Sequence, residues 1–155
     1  MPAWLNYCMR ILYRFFGLPI RDQRLLLYSL VLLTLFKFAL RWFSLKTLLF
    51  FSTKASSANA DPKSGTKGSP DRVAWAVSSV ARRIPTLGNC LAVALATKML
   101  LNTEGCPANL RIGVTKGDFG QLEAHAWLES KGKVLIGSAE GDRYTPLPLF
   151  DGENK

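Results

Sequence analysis

Cys90 is the residue of this sequence whose type and position most clearly suit chemistry. It follows Gly88-Asn89 and opens an apolar segment, CLAVALATKMLL, that is predicted to be helical. Free N–H groups and the helix dipole at a first turn favour the thiolate over the thiol. Because the thiolate is the attacking form of cysteine, this position suits a nucleophile. The alternative is a small buried hydrophobic side chain, a common role for cysteine.

His125 can supply the base for that thiol. It is the only histidine of the chain and lies in EAHAWLE, whose alternation predicts a strand. Small neighbours leave room for its ring, and Trp127 should lie on the same face of the strand. The alternative is a half-exposed strand histidine without a role. A cysteine at a helix start followed by a strand histidine is the order used by papain-like folds, so we predict a nucleophile–base pair.

The other two cysteines are weaker candidates for the nucleophile. Cys8 lies in the apolar N-terminal part, and Cys106 lies in a Gly-Cys-Pro turn without a helix N-terminus. Three cysteines and one histidine at these spacings match neither a disulfide framework nor a zinc site. We therefore expect reduced thiols, a cytoplasmic protein, and no metal or cofactor.

The elements that must position the pair form an α+β unit. Two helices are predicted over 70–84 and 90–101, and three strands over 109–115, 123–129 and 134–138. A two-residue turn, Lys131-Gly132, should join the last two strands. We expect a papain/transglutaminase-like core, in which helices pack on a small antiparallel sheet.

Composition divides the chain into three parts. Residues 1–51 form an apolar and aromatic segment that we expect to be helical, and residues 70–150 form the patterned catalytic domain. Between them, residues 52–69 (STKASSANADPKSGTKGS) predict a flexible linker.

The apolar segment admits three interpretations. Lys and Arg recur every four or five residues along it, which predicts one cationic helix face. We favour an amphipathic helix on a membrane surface or on a partner protein. A membrane-spanning helix and a helix of the protein's own core are the alternatives. Membrane association, where it occurs, should run through residues 25–51.

The formal net charge of +9 favours an acidic partner. The cations are nevertheless spread along the chain, and no dense basic run is interleaved with aromatic residues. We therefore expect no binding to nucleic acid.

Several short motifs together resemble one known family. Residues 22–51 and 70–147 are similar to the C-terminal leader-peptidase domain of the lasso peptide maturation B proteins. The matching pieces, in order, are Arg24-Leu25-Leu26-Leu27, Asn89-Cys90-Leu91, Leu110-Arg111-Ile112-Gly113-Val114, Ala124-His125-Ala126-Trp127-Leu128-Glu129, Gly132-Lys133-Val134-Leu135-Ile136-Gly137 and Arg143-Tyr144-Thr145-Pro146-Leu147.

The resemblance implies a transglutaminase-like cysteine protease that removes the leader from a ribosomally made precursor peptide. The resemblance also implies that the protein acts together with an ATP-dependent lasso cyclase. A winged-helix recognition domain, which fused members of the family carry, is not evident, so we expect a separate leader-recognition protein as a further partner.

The sequence offers several candidates for a third residue that would complete a catalytic triad with Cys90 and His125. The family's triad ends in an Asp about a dozen residues after the His, a place that falls near Gly137 here. If the hairpin register is unbroken, His125 pairs with Ser138, and Glu140 lies on the same face. Asp142 is a looser candidate. Such a residue would orient the imidazole and fix its tautomer.

Two other functions remain open at this point. The chain could be a non-catalytic scaffold that docks a membrane or a partner. It could also transfer an acyl group to an amine on the same fold, because peptidase and acyltransferase share a thioester intermediate.

Overall fold

The structure is a computed structural model that describes residues 9, 13, 15–43, 69–117, 120–137 and 143–147. Within the described residues, the helices with defined bounds are α1 (Ile20–Trp42), α2 (Pro70–Arg83) and α3 (Cys90–Thr103), with a 3-10 turn at Pro85–Leu87. The strands in the same part of the chain are β1 (Asn109–Lys116), β2 (Leu122–Ser130), β3 (Lys133–Ile136) and β4 (Thr145–Pro146).

The elements form layers. The strands make one antiparallel sheet in the order β3-β2-β1-β4. Helix α3 packs against β1, β2 and β3, and α2 packs against α3 and β3. Helix α1 lies against α2 and α3. The predicted α+β architecture, with helices on a small antiparallel sheet and an apolar N-terminal helix, is confirmed.

Local sequence explains where α2 and α3 begin. Pro70 occupies the first turn of α2, where its missing N–H is harmless, although Ser69 makes no side-chain capping bond. At the start of α3, the side chain of Asn89 accepts a hydrogen bond from the Leu91 N–H at 3.1 Å. Helix α3 ends before Gly105, whose φ of 71° is the left-handed conformation that glycine tolerates.

The hairpin between β2 and β3 has the predicted two-residue turn but not the predicted register. Lys131 and Gly132 both have positive φ, 51° and 76°, as a type I′ turn requires. Glu129 pairs with Val134, yet Leu128 pairs with Ile136, so Leu135 is an extra residue in a β-bulge. The register beyond the bulge is therefore shifted by one residue from the unbroken hairpin that the sequence suggested.

Strand β4 was not predicted. Its two residues, Thr145 and Pro146, pair with Val114 and Gly113 of β1. Two residues are too few to show an alternating pattern, and proline is depleted in strands except at edges, which is where β4 lies.

One side of α1 belongs to the hydrophobic core. Leu25, Leu33 and Phe36 are buried in the same cluster as the apolar side chains of α2, α3 and the sheet. The same side carries the buried Asp22, which accepts hydrogen bonds from Arg72 of α2, one of them at 2.7 Å. The interpretation of α1 as a helix of the protein's own core thus holds for this side, while residues 44–51 of the apolar segment lie outside the described residues.

The expected division of α1 into an apolar and a cationic face is wrong. Its buried side contains the charged Asp22 and the polar Ser29, while its exposed side is mainly apolar. The cations are distributed around the exposed surface, because a helix places residues four or five apart at successively rotated positions. By length and composition alone, this 23-residue helix could also cross a membrane.

Candidate active site

Cys90 is the first residue of α3 and is half-buried. Its Sγ atom lies 3.8 Å from Oδ1 of Asn89, the residue that caps the helix. Because the first N–H groups of a helix lack intrahelical partners, the thiol stands at the positive end of the helix dipole. The predicted placement of this cysteine at a helix start is therefore what the structure shows.

His125 lies in β2, directly opposite Gly113 of β1. Its ring stacks on Tyr144, with ring centroids 5.1 Å apart, and lies nearly parallel to the ring of Trp127 at 6.5 Å. The Nε2 atom is buried and has no hydrogen-bond partner among the described residues. The ring is thus held by aromatic contacts with both of these rings.

Glycines make room for these aromatic rings. A Cβ atom on Gly113 would come within 2.8 Å of Cβ of Tyr144 and 3.0 Å of the Trp127 ring. A Cβ on Gly137 would come within 2.7 Å of Cβ of Trp127. The indole Nε1 of Trp127 donates a hydrogen bond to Glu129 at 2.7 Å. Packing and this bond fix the indole beside the imidazole.

Sequence reasoning missed two contributors to this arrangement. Tyr144 and Gly113 were noted only as parts of motifs that resemble the family, with no role assigned. Gly113 could have been identified from its position in a strand of otherwise larger residues. A glycine within a strand often marks a place where another group approaches the strand backbone closely.

Four contacts define the end of the molecule that lies away from Cys90. They join Arg21 to Glu104, Asp22 to Arg72, Lys133 to Asp71 and Ser130 to the Pro107 carbonyl. The carboxyl end of α3 is part of this group. Cys90 is thirteen residues back along the helix, or ~20 Å away. His125 is five residues back along β2 from Ser130, or ~17 Å away. Cys90 therefore lies at the opposite end of α3, and His125 lies near the middle of β2.

The thiol and the imidazole are not hydrogen-bonded to each other within the described part of the chain. Ala126 and Leu128 of β2 belong to the core beneath the helices, whereas His125 alternates with them and faces the other side of the sheet. Cys90 packs against that core. The two side chains therefore lie on opposite sides of the sheet, and the predicted contact between thiol and imidazole is not present among the described residues.

The three candidates for the third member, Ser138, Glu140 and Asp142, lie outside the described residues. The register argument for Ser138 assumed an unbroken hairpin. The bulge at Leu135 removes that premise, because a pairing that follows Leu128 with Ile136 no longer places Ser138 opposite His125. Which residue orients the imidazole stays a prediction.

Cys106 is buried, with its Sγ atom 3.8 Å from the Glu104 carbonyl oxygen. Its burial makes it a poorer nucleophile candidate than Cys90, while Cys8 lies outside the described residues. Across the described ranges, no group of three or more His, Cys, Asp and Glu side chains could hold a metal ion.

Comparison with known proteins agrees with this architecture. Residues 30–148, most of the chain, match the model of the transglutaminase-like superfamily. A fold of helices on a small antiparallel sheet, with a cysteine opening the central helix, is of the class found in cysteine peptidases and acyltransferases. The protein belongs to the transglutaminase-like superfamily. Searches of curated proteins and of solved structures found no match.

Proposed function

We propose that this protein is a cysteine peptidase that removes the leader from a lasso-type precursor peptide. In this proposal it acts in the cytoplasm with a separate leader-recognition protein and an ATP-dependent lasso cyclase. The superfamily and the position of Cys90 support the thiol chemistry. The order and spacing of the motifs from Asn89 to Leu147 support the choice of substrate.

The proposed reaction uses one nucleophile and one base. His125 takes the proton of the Cys90 thiol, and the thiolate attacks the carbonyl carbon of the scissile peptide bond. Collapse of the tetrahedral intermediate breaks the C–N bond, and the imidazolium returns its proton to the departing amine. Water then attacks the thioester, which releases the leader with a free carboxylate and restores the thiol.

The buried Nε2 atom of His125 is the observation that carries this proposal. Buried polar atoms in proteins are nearly always hydrogen-bonded, and an unpaired one weakens the fold by about 1–3 kcal/mol. A histidine with a purely structural role would be expected to use both nitrogens. A free nitrogen on a ring held by Tyr144 and Trp127 fits a group reserved for proton transfer.

The proposal requires the imidazole and the thiol to approach each other when substrate binds. Catalytic hydrogen bonds are often long or absent in free enzymes and form in the substrate complex. In the free protein the two groups face opposite sides of the sheet, so this approach requires a rearrangement of β2 or of the start of α3. Glu140, Ser138 or Asp142 would then orient the ring, and Glu140 has the charge to stabilise imidazolium.

The test is incubation of the full chain with a candidate precursor and its recognition protein, followed by mass spectrometry. We expect leader release by the wild type, and a loss on the order of several decades in rate for both Cys90→Ala and His125→Ala. Cys106→Ala is the matched control and should remain active. Activity in Cys90→Ala together with inactivity in Cys106→Ala would refute the assignment.

The mass of the released leader separates the peptidase from an acyltransferase. Attack by water gives a free carboxylic acid, whereas attack by an amine gives an amide whose mass differs from that of the acid by the mass of the amine minus one water. No reaction by a folded wild type with any precursor would favour the scaffold function instead. Glu140→Gln and Ser138→Ala should identify the third member, because the variant that lacks it should lose most of its rate.

A further inference from the structure

We propose that the exposed side of α1 binds the surface of an anionic phospholipid bilayer, with the helix lying in the plane of the membrane. This surface, here called the outward face, is formed by six side chains at helical spacing: Ile20, Leu27, Val31, Leu35, Phe38 and Trp42. The proposal concerns where the protein works and does not depend on the thiol chemistry.

The outward face is unusually apolar for the surface of a folded protein. Val31, Leu35 and Phe38 are 62%, 57% and 62% exposed, and Trp42 is 82% exposed. Because α1 packs on α2 and α3 from one side, these side chains form a continuous strip along the other side. Contiguous exposed apolar strips of this kind mark sites of interaction.

The opposite side of α1 fixes the orientation of the helix. Leu25, Leu33 and Phe36 are buried in the core, and Asp22 is held by Arg72 of α2. A helix that keeps these contacts cannot cross a bilayer by itself, since α2 and α3 would have to enter the membrane beside it. The packing therefore favours a helix that lies on the membrane, with one side in lipid and the other in protein.

The charges near the outward face favour lipid phosphates over a second copy of this chain. Arg24, Lys37 and Arg41 are all exposed, and Asp22, the only acidic residue in the sequence of α1, is buried and paired. With a net charge of +9, two copies would bring like charges together. An anionic bilayer supplies both an apolar layer for the strip and phosphates for the cations.

The layered fold then determines which way the candidate site faces. Helix α1 is the outer helical layer, α2 and α3 form the middle, and the sheet is on the far side. His125 lies on the sheet face that points away from the helices. A bilayer under α1 would therefore lie on the side of the molecule opposite to this sheet face.

Flotation of the full chain with vesicles tests the proposal. One set of vesicles contains equal parts of phosphatidylglycerol and phosphatidylcholine, and the other contains phosphatidylcholine alone. We expect binding to the anionic vesicles and much weaker binding to the neutral ones. Leu35→Glu should reduce the bound fraction at least roughly tenfold, because it places a charge in the apolar layer. Leu122→Glu, a control at a 71% exposed leucine of β2, should bind like the wild type.

Other outcomes would overturn the proposal. Equal binding by Leu35→Glu and the wild type would show that the outward face is not the contact. Absence of binding to anionic vesicles, together with a dimer in sedimentation that Leu35→Glu dissociates, would identify a second copy as the occupant. Protein that alkaline carbonate fails to extract from cell membranes would indicate a spanning helix and exclude the in-plane orientation.

Discussion

Replacing Leu33 by alanine is a direct test of whether α1 is part of the fold that holds the candidate site. Leu33 is fully buried in the cluster shared by α1, α2, α3 and the sheet. Leucine-to-alanine changes in well-packed cores remove transfer free energy and leave a cavity, and together these lower stability by about 2.7–5 kcal/mol. Because Leu33 is fully buried, we expect a loss of about 3 kcal/mol.

The assay is urea unfolding followed by circular dichroism, with thermal unfolding as a second measurement. For a chain of this length, about 3 kcal/mol corresponds to a fall in Tm of roughly 6–12 °C. The matched control is Leu35→Ala, two residues along the same helix but 57% exposed, which should change stability by no more than about 0.5 kcal/mol.

Equal stabilities of Leu33→Ala and Leu35→Ala would refute the reasoning. In that case α1 would not share the core in solution, and residues 70–150 would form an independent domain behind the 52–69 linker. The predicted domain boundaries are therefore tested by the same pair of variants. A smaller m-value in Leu33→Ala, that is, a weaker dependence of the unfolding free energy on urea concentration, would indicate that α1 no longer packs fully on the core, and not that a cavity alone was formed.

Two further perturbations follow from particular contacts. Gly113→Ala should lower stability by about 1–3 kcal/mol and slow precursor cleavage, because its methyl group collides with Tyr144 beside His125. Gly120→Ala is the control for backbone strain: alanine is strained at its φ of 79°, but the methyl group meets nothing within 4 Å, so stability should fall while cleavage stays unchanged. Asp22→Asn should be less stable than the wild type at neutral pH. The Arg72 guanidinium that donates hydrogen bonds to Asp22 lowers the pKa of this carboxyl below its ordinary value of 3.8, so its stabilising effect is present above that pH and is lost as the pH falls below it. The difference between the urea unfolding midpoints of the wild type and Asp22→Asn should therefore become smaller at acid pH. A difference that becomes larger there would contradict the stabilisation of ionised Asp22 by Arg72.

The sequence by itself determined the elements whose cause is local. The starts of α2 and α3 follow from Pro70 and from the Asn89 cap, and the hairpin turn follows from Lys131-Gly132. Each of these depends on backbone preferences within a few residues, which composition and spacing reveal directly. The choice of Cys90 as a candidate nucleophile came from the same local logic.

The surroundings of His125 depended on contacts between distant parts of the chain. Tyr144 reaches the imidazole only because β4 pairs with β1, and Gly113 matters only because two aromatic rings converge on it. The bulge at Leu135 shifted the hairpin by one residue, and a one-residue shift moves every later side chain to the other face. The alternation of side chains within one strand does not predict the position of a β-bulge in the strand that pairs with it.

The apolar N-terminal segment shows most clearly what sequence could not decide. An apolar run of this length is compatible with a membrane span, a surface helix and a core helix, so composition alone leaves the three open. The tertiary structure decided that Leu25, Leu33 and Phe36 enter the core and that Asp22 pairs with Arg72, fifty residues along the chain. Which side of an apolar helix is buried is determined by the surface that it meets, and that surface is formed by residues far away in the sequence.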